Sequence, residues 1–191
     1  MRNISINIRT EIYYLLCIGV LILPLKFMAY WLISVLVHEF FHYVAIIILG
    51  GHIYQLNISI FGMKMDTSPL SNNQEIICAI AGPLGGLLLC FLTITHFPLL
   101  GLLSLAHSVY NMIPLFPLDG GRVLHGLIRF TGHKKHKRLI TRIDKFVSVA
   151  LLFTAGYCTF RLSLGFLPII IAISMIFKNK KAKGTCIVSK F

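Results

Sequence analysis

Two histidines and a glutamate share little more than one helical turn inside an apolar stretch of the chain. The segment LVHEFFHYVA, residues 36–45, places His38 and His42 four residues apart, with Glu39 directly after the first histidine. On a helix this spacing puts both imidazoles on one face, about 6 Å apart along the axis. Two imidazoles so placed can bind one zinc ion, at Zn–N distances of about 2.0–2.1 Å. Glu39 can then take a proton from an attacking water, which is the HExxH chemistry of peptide hydrolysis.

A purely structural interpretation of this segment would leave two core histidines and a Glu39 carboxylate bonded to a neighbouring group. A charged side chain at membrane depth costs about 2.5–3.5 kcal/mol even on lenient scales. Nothing in a purely structural role offsets that cost. The segment therefore favours a metal site over a structural cluster.

Asp119 is the candidate for the third protein ligand that a zinc site needs beside its open water position. It lies in NMIPLFPLDGGRVL, residues 111–124, where Pro114 and Pro117 interrupt a helix. Non-helical backbone at membrane depth is tolerated where it lines a cavity or is buried in protein. The interrupted helix therefore predicts that Asp119 faces an interior site. A plain interfacial turn with a solvated Asp119 is the alternative.

The composition indicates an integral membrane protein. Of the 191 residues 57% are hydrophobic and only 13% are charged, against roughly 25% charged residues in soluble domains. The net charge of +12 is explained by basic cytoplasmic loops. Nucleic-acid binding is not expected, since no basic patch is interleaved with stacking aromatics. The five cysteines are scattered and predict neither a disulfide framework nor a metal cluster.

The apolar runs predict the elements that must position these residues. We predict six transmembrane helices, over residues 12–27, 28–49, 75–97, 99–113, 146–160 and 162–177. Between the second and third, alternating apolar and polar residues predict a small β-hairpin at about 53–66. The predicted fold is an all-α polytopic membrane protein, a single domain over 1–191 without a PDZ or CBS domain. With both termini cytoplasmic, every Lys and Arg except Lys26 and Arg161 lies inside, as the positive-inside rule requires.

The two motifs together resemble the site-2 protease family of intramembrane zinc metalloproteases. HEFFH lies in one predicted span, and NMIPLFPLDGG follows in a later one. The segment AGPLGG, residues 81–86, resembles that family's small-residue stretch in its third core span. The compact six-span layout is most similar to the bacterial sporulation branch, which processes a membrane-tethered sigma-factor precursor. We expect the relationship to cover most of the chain.

This resemblance carries expectations about cofactor, site and substrate. It implies one zinc ion and these functional residues: the metal ligands His38, His42 and Asp119, the base Glu39, and the substrate-groove residues Asn111, Pro114 and Pro117. The expected activity is endopeptidase cleavage of a membrane-tethered protein or peptide within the bilayer. The expected location is a bacterial cell membrane, where a regulatory membrane partner can act on the enzyme. The sequence does not specify the oligomeric state.

Two other functions use the same residue types. Intramembrane histidines and aspartates mark ion paths and proton relays, and a broken helix suits a transporter site. A metal-ion or proton transporter is therefore one alternative, although no internal repeat mirrors the motif. A non-catalytic scaffold that binds substrate is the other, and the intact Glu39 argues against it.

Overall fold

The computed structural model describes residues 5–59, 62–115, 118–130 and 136–161, with four isolated positions at 169, 172, 173 and 176. The elements are β1 (Ser5–Ile8), α1 (Glu11–Ile22), α2 (Leu25–Ile48), β2 (Ile53–Ser59), β3 (Gly62–Thr67), α3 (Asn72–Thr93), α4 (Pro98–Asn111), α5 (Asp119–Phe130) and α6 (His136–Arg161). They divide into two compact units, Met1–Asn111 and Met112–Phe191.

Local sequence features mark the start of α2 and α3, the two longest helices of the first unit, and the end of α2. Helix α2 starts directly after Pro24, and it ends before Gly50, whose φ of +76° lies in the left-handed region that glycine tolerates. Helix α3 starts with a capping box, in which the Ser71 and Gln74 side chains each bond to the other residue's backbone N–H. The predicted end of the second span, at residue 49, is therefore correct to within one residue.

Helices α2 and α3 are long and apolar enough to cross a membrane. Only 22% and 33% of their most apolar windows are buried within the protein. Large side chains such as Phe40 and Phe91 are instead exposed. Exposed apolar surface is unfavourable in water by about 25 cal/mol per Å². This surface therefore fits a lipid environment better than an aqueous one.

The prediction of six transmembrane helices is confirmed only in part. The second and third predicted spans correspond to α2 and α3. The first and fourth correspond to the shorter helices α1, of 12 residues, and α4, of 14 residues. The fifth lies within α6. The sixth, at 162–177, lies mostly outside the described residues, so a six-span topology stays a prediction.

The predicted hairpin at 53–66 forms, but it is part of a larger sheet. Strands β2 and β3 pair antiparallel, and β1 pairs with β2 in parallel, which gives the order β1-β2-β3. The sequence pattern at residues 5–8 does not predict strand β1, which pairs with a distant part of the chain. Because β2 is central, both of its edges are covered. The edge strands of the sheet are β1 and β3.

The sheet has one apolar and one polar face, since side chains alternate along each strand. The register places Ile6, Leu56 and Met65 side by side on the apolar face. On the polar face Asn57 Nδ2 donates to Asp66 Oδ2 at 2.8 Å, and Lys64 Nζ lies 2.9 Å from Asp66 Oδ1. This division leaves the apolar face to pack on other elements of the unit.

Small side chains let α3 and α4 pack closely in the first unit. Ser104 Oγ donates to the Gly86 carbonyl at 2.7 Å, and Ser108 Oγ donates to the Ser104 carbonyl at 2.9 Å. Both serines are buried. Internal hydrogen bonds of this kind satisfy hydroxyl groups that would be costly to bury unpaired. At the other end of α2, buried Ile46, Ile53 and Cys78 join α2, β2 and α3 in one cluster.

The second unit contains a helix that was not predicted. Residues 114–145 lie between the fourth and fifth predicted spans, but α5 occupies Asp119–Phe130 and α6 already begins at His136. The apolar residues of α5 recur at amphipathic spacing, as in Val123, Leu124 and Leu127. A search for runs of about 20 apolar residues does not detect α5, because an amphipathic helix of 12 residues contains no such run.

Candidate metal centre

The two histidine side chains of α2 meet as their spacing predicts. Both are buried, and His42 Nε2 lies 3.2 Å from His38 Nε2. Two nitrogens bound to one zinc at tetrahedral angles lie about 3.3 Å apart, given Zn–N distances of about 2.0–2.1 Å. The separation of the two Nε2 atoms therefore fits a shared metal ion.

A backbone carbonyl sets the tautomer of His42. The ring's Nδ1 lies 2.7 Å from the carbonyl oxygen of Cys78 on α3. A carbonyl oxygen only accepts hydrogen bonds, so Nδ1 carries the proton and the lone pair of a neutral ring is on Nε2. Metal-ligating histidines are commonly oriented by such a bond at the other nitrogen. His42 therefore has the tautomer and orientation that a metal ligand needs.

Gly82 on α3 provides the space in which the two imidazoles meet. A Cβ atom built on Gly82 would overlap His42 Nε2 and would lie 2.8 Å from His38 Nε2. Gly82 lies in the small-residue stretch AGPLGG, and the sequence alone does not connect it with the histidines. The contact joins residues of two different helices, so the spacing of residues along the chain does not predict it.

Gly82→Ala is expected to weaken the binding of a divalent ion about 10–100-fold, since ligands that lose their orientation lose affinity on this scale. The measurement is a titration of the purified chain with Co²⁺, followed by visible absorption. Gly86→Ala is the matched control, because its Cβ would collide with Ser108 Oγ and not with an imidazole. It should lower thermal stability and leave Co²⁺ affinity unchanged. Equal Co²⁺ affinity in Gly82→Ala and wild type would contradict this role.

Glu39 is half-buried and lines a groove in the first unit. The groove has a volume of about 440 Å³ and is formed by Leu36, Val37, Glu39, Phe40, Tyr43, Leu56, Met63 and Met65. It lies between α2 and the apolar face of the sheet. Apart from Glu39 its lining side chains are apolar or aromatic. An apolar segment placed there would lie beside the one carboxylate of the groove.

Asn111 is the last residue of α4, and its amide is bonded to His107 one turn earlier. Asn111 Nδ2 donates to the His107 carbonyl at 3.0 Å and lies 3.1 Å from His107 Nε2. The His107 ring packs edge-to-face against His38, with ring centroids 4.8 Å apart. The first unit thus brings His38, His42, His107 and Asn111 into one cluster. His107 lies within the fourth predicted span, and nothing in the sequence alone connects it with His38.

The second unit holds the other predicted site residues. Asp119 is the first residue of α5 and is buried, and its Oδ1 lies 3.5 Å from Arg122 Nη1. A carboxylate in the first turn of a helix is stabilised by the helix dipole. Pro114 is exposed in the turn before α5, and Pro117 lies outside the described residues. Arg122 was not predicted, although its three-residue spacing from Asp119 is typical of helix ion pairs.

Comparisons with known proteins agree with one another. A family model described as peptidase family M50 matches residues 93–155. A candidate zinc metalloprotease of Synechocystis sp. is 34% identical over 123 residues, which is 56% of this chain and 32% of that protein. A zinc metalloprotease of Methanocaldococcus jannaschii is 27% identical over 176 residues, which is 79% of this chain and 52% of that protein. The chain thus spans at most about half the length of these curated relatives.

The fold is also shared with a solved structure. A site-2 protease from Methanocaldococcus jannaschii superposes with a TM-score of 0.64, at 22% identity, over 95% of this chain and 91% of that one. The match covers nearly all of both chains and therefore extends well beyond the residues that the family model matches. The chain is thus similar to peptidase family M50 over residues 93–155, to two zinc metalloproteases in sequence, and to a site-2 protease in fold.

Proposed function

We propose that this chain is an intramembrane zinc metalloendopeptidase that cleaves a membrane-associated protein or peptide. The observation that carries the proposal is the meeting of His38 and His42 through their Nε2 atoms at 3.2 Å, in a helix apolar enough to cross a membrane. Two converging imidazoles are a common part of catalytic zinc sites. A third donor from the protein would complete the set and leave one position open.

Asp119 is the proposed third ligand. Its carboxylate is buried, as both histidines are, and carboxylate oxygen is an established zinc donor. Arg122 lies close enough to orient the carboxylate, as an outer-shell partner of a metal ligand does. A His₂Asp set suits zinc because it combines imidazole nitrogen with carboxylate oxygen. Asp119 would thus be both a ligand and the acid that offsets part of the metal charge.

The chemistry divides between the metal and the residues of the chain. When bound, zinc lowers the pKa of water and polarises the carbonyl of the scissile peptide. Glu39 takes the proton of the attacking water and passes it to the leaving nitrogen, as a general base that turns into a general acid. Its position in the groove supports this role, because substrate in the groove lies beside its carboxylate.

The sheet supports binding of the substrate in an extended form. A peptide bond in a helix is protected by internal hydrogen bonds, so the substrate helix must unwind before water can attack. Strand β3 is an edge strand, and its Met63 and Met65 line the same groove as Glu39. We propose that an unwound substrate segment adds to β3 as a further strand. Pro114 and Pro117, like Asn111, are proposed to shape the path of the substrate.

The proposed setting is a bacterial cell membrane, crossed several times, with both chain termini in the cytoplasm. The distribution of Lys and Arg supports this orientation. Within the family, the compact layout favours the sporulation branch and therefore a membrane-tethered sigma-factor precursor as substrate. Transport of the metal is not favoured, because transport gives the carboxylate of Glu39 in the groove no role.

The test is cleavage of membrane substrates by the purified chain in lipid vesicles. A panel of tagged single-span peptides, including a sigma-factor precursor, is incubated with the enzyme, with and without 1,10-phenanthroline. We expect at least one peptide to be cut within its apolar segment, the chelator to stop cleavage, and added Zn²⁺ to restore it. Cleavage that persists without metal, or Zn²⁺ flux into the vesicles without any cleavage, would overturn the proposal.

A further inference from the structure

A third imidazole lies beside the histidine pair. His107 is on α4, a helix whose sequence PLLGLLSLAHSVYN is mostly apolar. Its ring packs against that of His38 at a centroid distance of 4.8 Å and an interplanar angle of 79°. Edge-to-face packing is a favourable arrangement for a pair of aromatic rings. His107 is therefore held in place by a residue of the proposed metal site.

The hydrogen bonds of His107 fix the orientation of the Asn111 amide. The His107 carbonyl can only accept, so the group 3.0 Å from it must be the Asn111 NH₂ end and not the amide oxygen. The same nitrogen lies 3.1 Å from His107 Nε2. An amide nitrogen has two N–H groups, and His107 offers an acceptor for each of them. In this arrangement Nε2 accepts, and the His107 proton is on Nδ1.

The consequence concerns which end of Asn111 a substrate can reach. If both N–H groups are occupied by His107, the amide offers its Oδ1 to a ligand, and Oδ1 only accepts hydrogen bonds. An extended peptide supplies one backbone N–H donor at each residue other than proline. Asn111 is thus suited to accept from a substrate N–H. It is less suited to donate a hydrogen bond to a developing oxyanion.

We propose that His107 is a positioning residue, which holds Asn111 so that Oδ1 accepts a backbone N–H of the unwound substrate. The proposal rests on the proposed protease function and extends it, because it specifies a recognised group of the substrate. Recognition through a backbone N–H is independent of the side chain. It would be lost only where the substrate has proline or an N-methyl group at that position.

The test compares His107→Leu with His107→Gln. Leucine removes the acceptor at similar volume, whereas glutamine supplies an amide oxygen that can accept from Asn111. The binding readout is the Kd of a fluorescent peptide cleaved by the wild type, measured on the Glu39→Gln background so that no cleavage occurs. We expect leucine to raise Kd about 3–10-fold, which is the loss of one hydrogen bond, and glutamine to restore it to within about 2-fold.

The kinetic readout separates positioning from a role in metal binding or in folding. On the wild-type background His107→Leu should raise KM more than it lowers kcat, and the Co²⁺ spectrum should not change. In a further series of peptides, an ester replaces one amide at a time, which removes one backbone N–H. At a single position the ester should raise the KM of the wild type about 3–10-fold and leave the KM of His107→Leu unchanged. His96→Leu, an exposed histidine on the turn before α4, should change none of these readouts.

Several outcomes would overturn the proposal. These are an unchanged Kd in His107→Leu, failure of glutamine to restore binding, a changed Co²⁺ spectrum, or equal ester sensitivity in the two proteins. Failure of the proposed function itself has a different signature, since the wild type would then cleave no peptide at all.

Discussion

Replacing Glu39 by Gln is expected to lower the rate of peptide cleavage by about 10²–10⁴-fold, the usual contribution of a general acid–base group. Glutamine keeps the size of the side chain but cannot take a proton from water. Metal binding should be unchanged, since Glu39 is not a proposed ligand. The measurement is single-turnover cleavage in lipid vesicles, together with the zinc content of each protein.

Glu11→Gln is the matched control for the Glu39 prediction, because Glu11 is a partly exposed glutamate at the start of α1. Its substitution should leave the cleavage rate within about 2-fold of wild type, as expected for a surface change. A Glu39→Gln protein that cleaves at the wild-type rate would end the general-base assignment, whatever its metal content.

Replacing Asp119 by Asn is expected to have the second large effect, a loss of zinc affinity. The amide of asparagine has no charge and is a poorer zinc donor than a carboxylate. We expect the zinc Kd to rise by more than the 10–100-fold that the loss of an outer-shell partner typically costs. Cleavage should fall with zinc occupancy, and excess zinc should restore it in part. Competition with a chromophoric chelator measures the Kd.

Asp66→Asn is the control for Asp119, since Asp66 lies on the polar face of the sheet and pairs with Lys64. Loss of such a partly exposed ion pair has a small effect on stability and should not change zinc affinity. If Asp119→Asn bound zinc as tightly as wild type did, the third ligand would have to be a different residue.

Local features of the structure could be predicted from the sequence because they depend on helix and strand periods. Residues four apart on a helix share a face, so the meeting of His38 and His42 follows from their spacing. The alternation of side chains predicts β2 and β3 in the same way. The glycines after Leu49 end α2 for a reason that is also local, the positive φ of Gly50. None of these inferences needs a distant part of the chain.

The missed features depend on contacts between residues far apart in sequence. Strand β1 has four residues and pairs in parallel with a strand about 50 residues later, so no turn signal connects them. From the sequence alone, Gly82 is indistinguishable from a glycine that only allows helices to pack closely. In the structure α3 packs against α2, and the two imidazoles occupy the space that a side chain at Gly82 would fill. From the sequence alone, His107 is a histidine within the fourth predicted span, and only the structure shows that its ring contacts His38.

Helix α5 was missed for a different reason. Its 12 residues are too short and too polar to be recognised as a membrane span, and the prolines before it indicate a loop. The prolines do interrupt regular structure, since α4 ends at Asn111 and the next helix begins only at Asp119. The amphipathic spacing after Asp119 was the available signal, and it places the aspartate at a helix N-terminus instead of in a solvated turn.

Zinc K-edge X-ray absorption on the purified chain, loaded with one equivalent of Zn²⁺, tests the central claim most directly. We predict first-shell nitrogen and oxygen at about 2.0–2.2 Å, with outer-shell scattering from two imidazoles that falls to one in His42→Ala. Carboxylate scattering should disappear in Asp119→Asn. A sulfur shell at about 2.3 Å, or a spectrum that neither substitution changes, would show that the zinc is held elsewhere and would contradict the account.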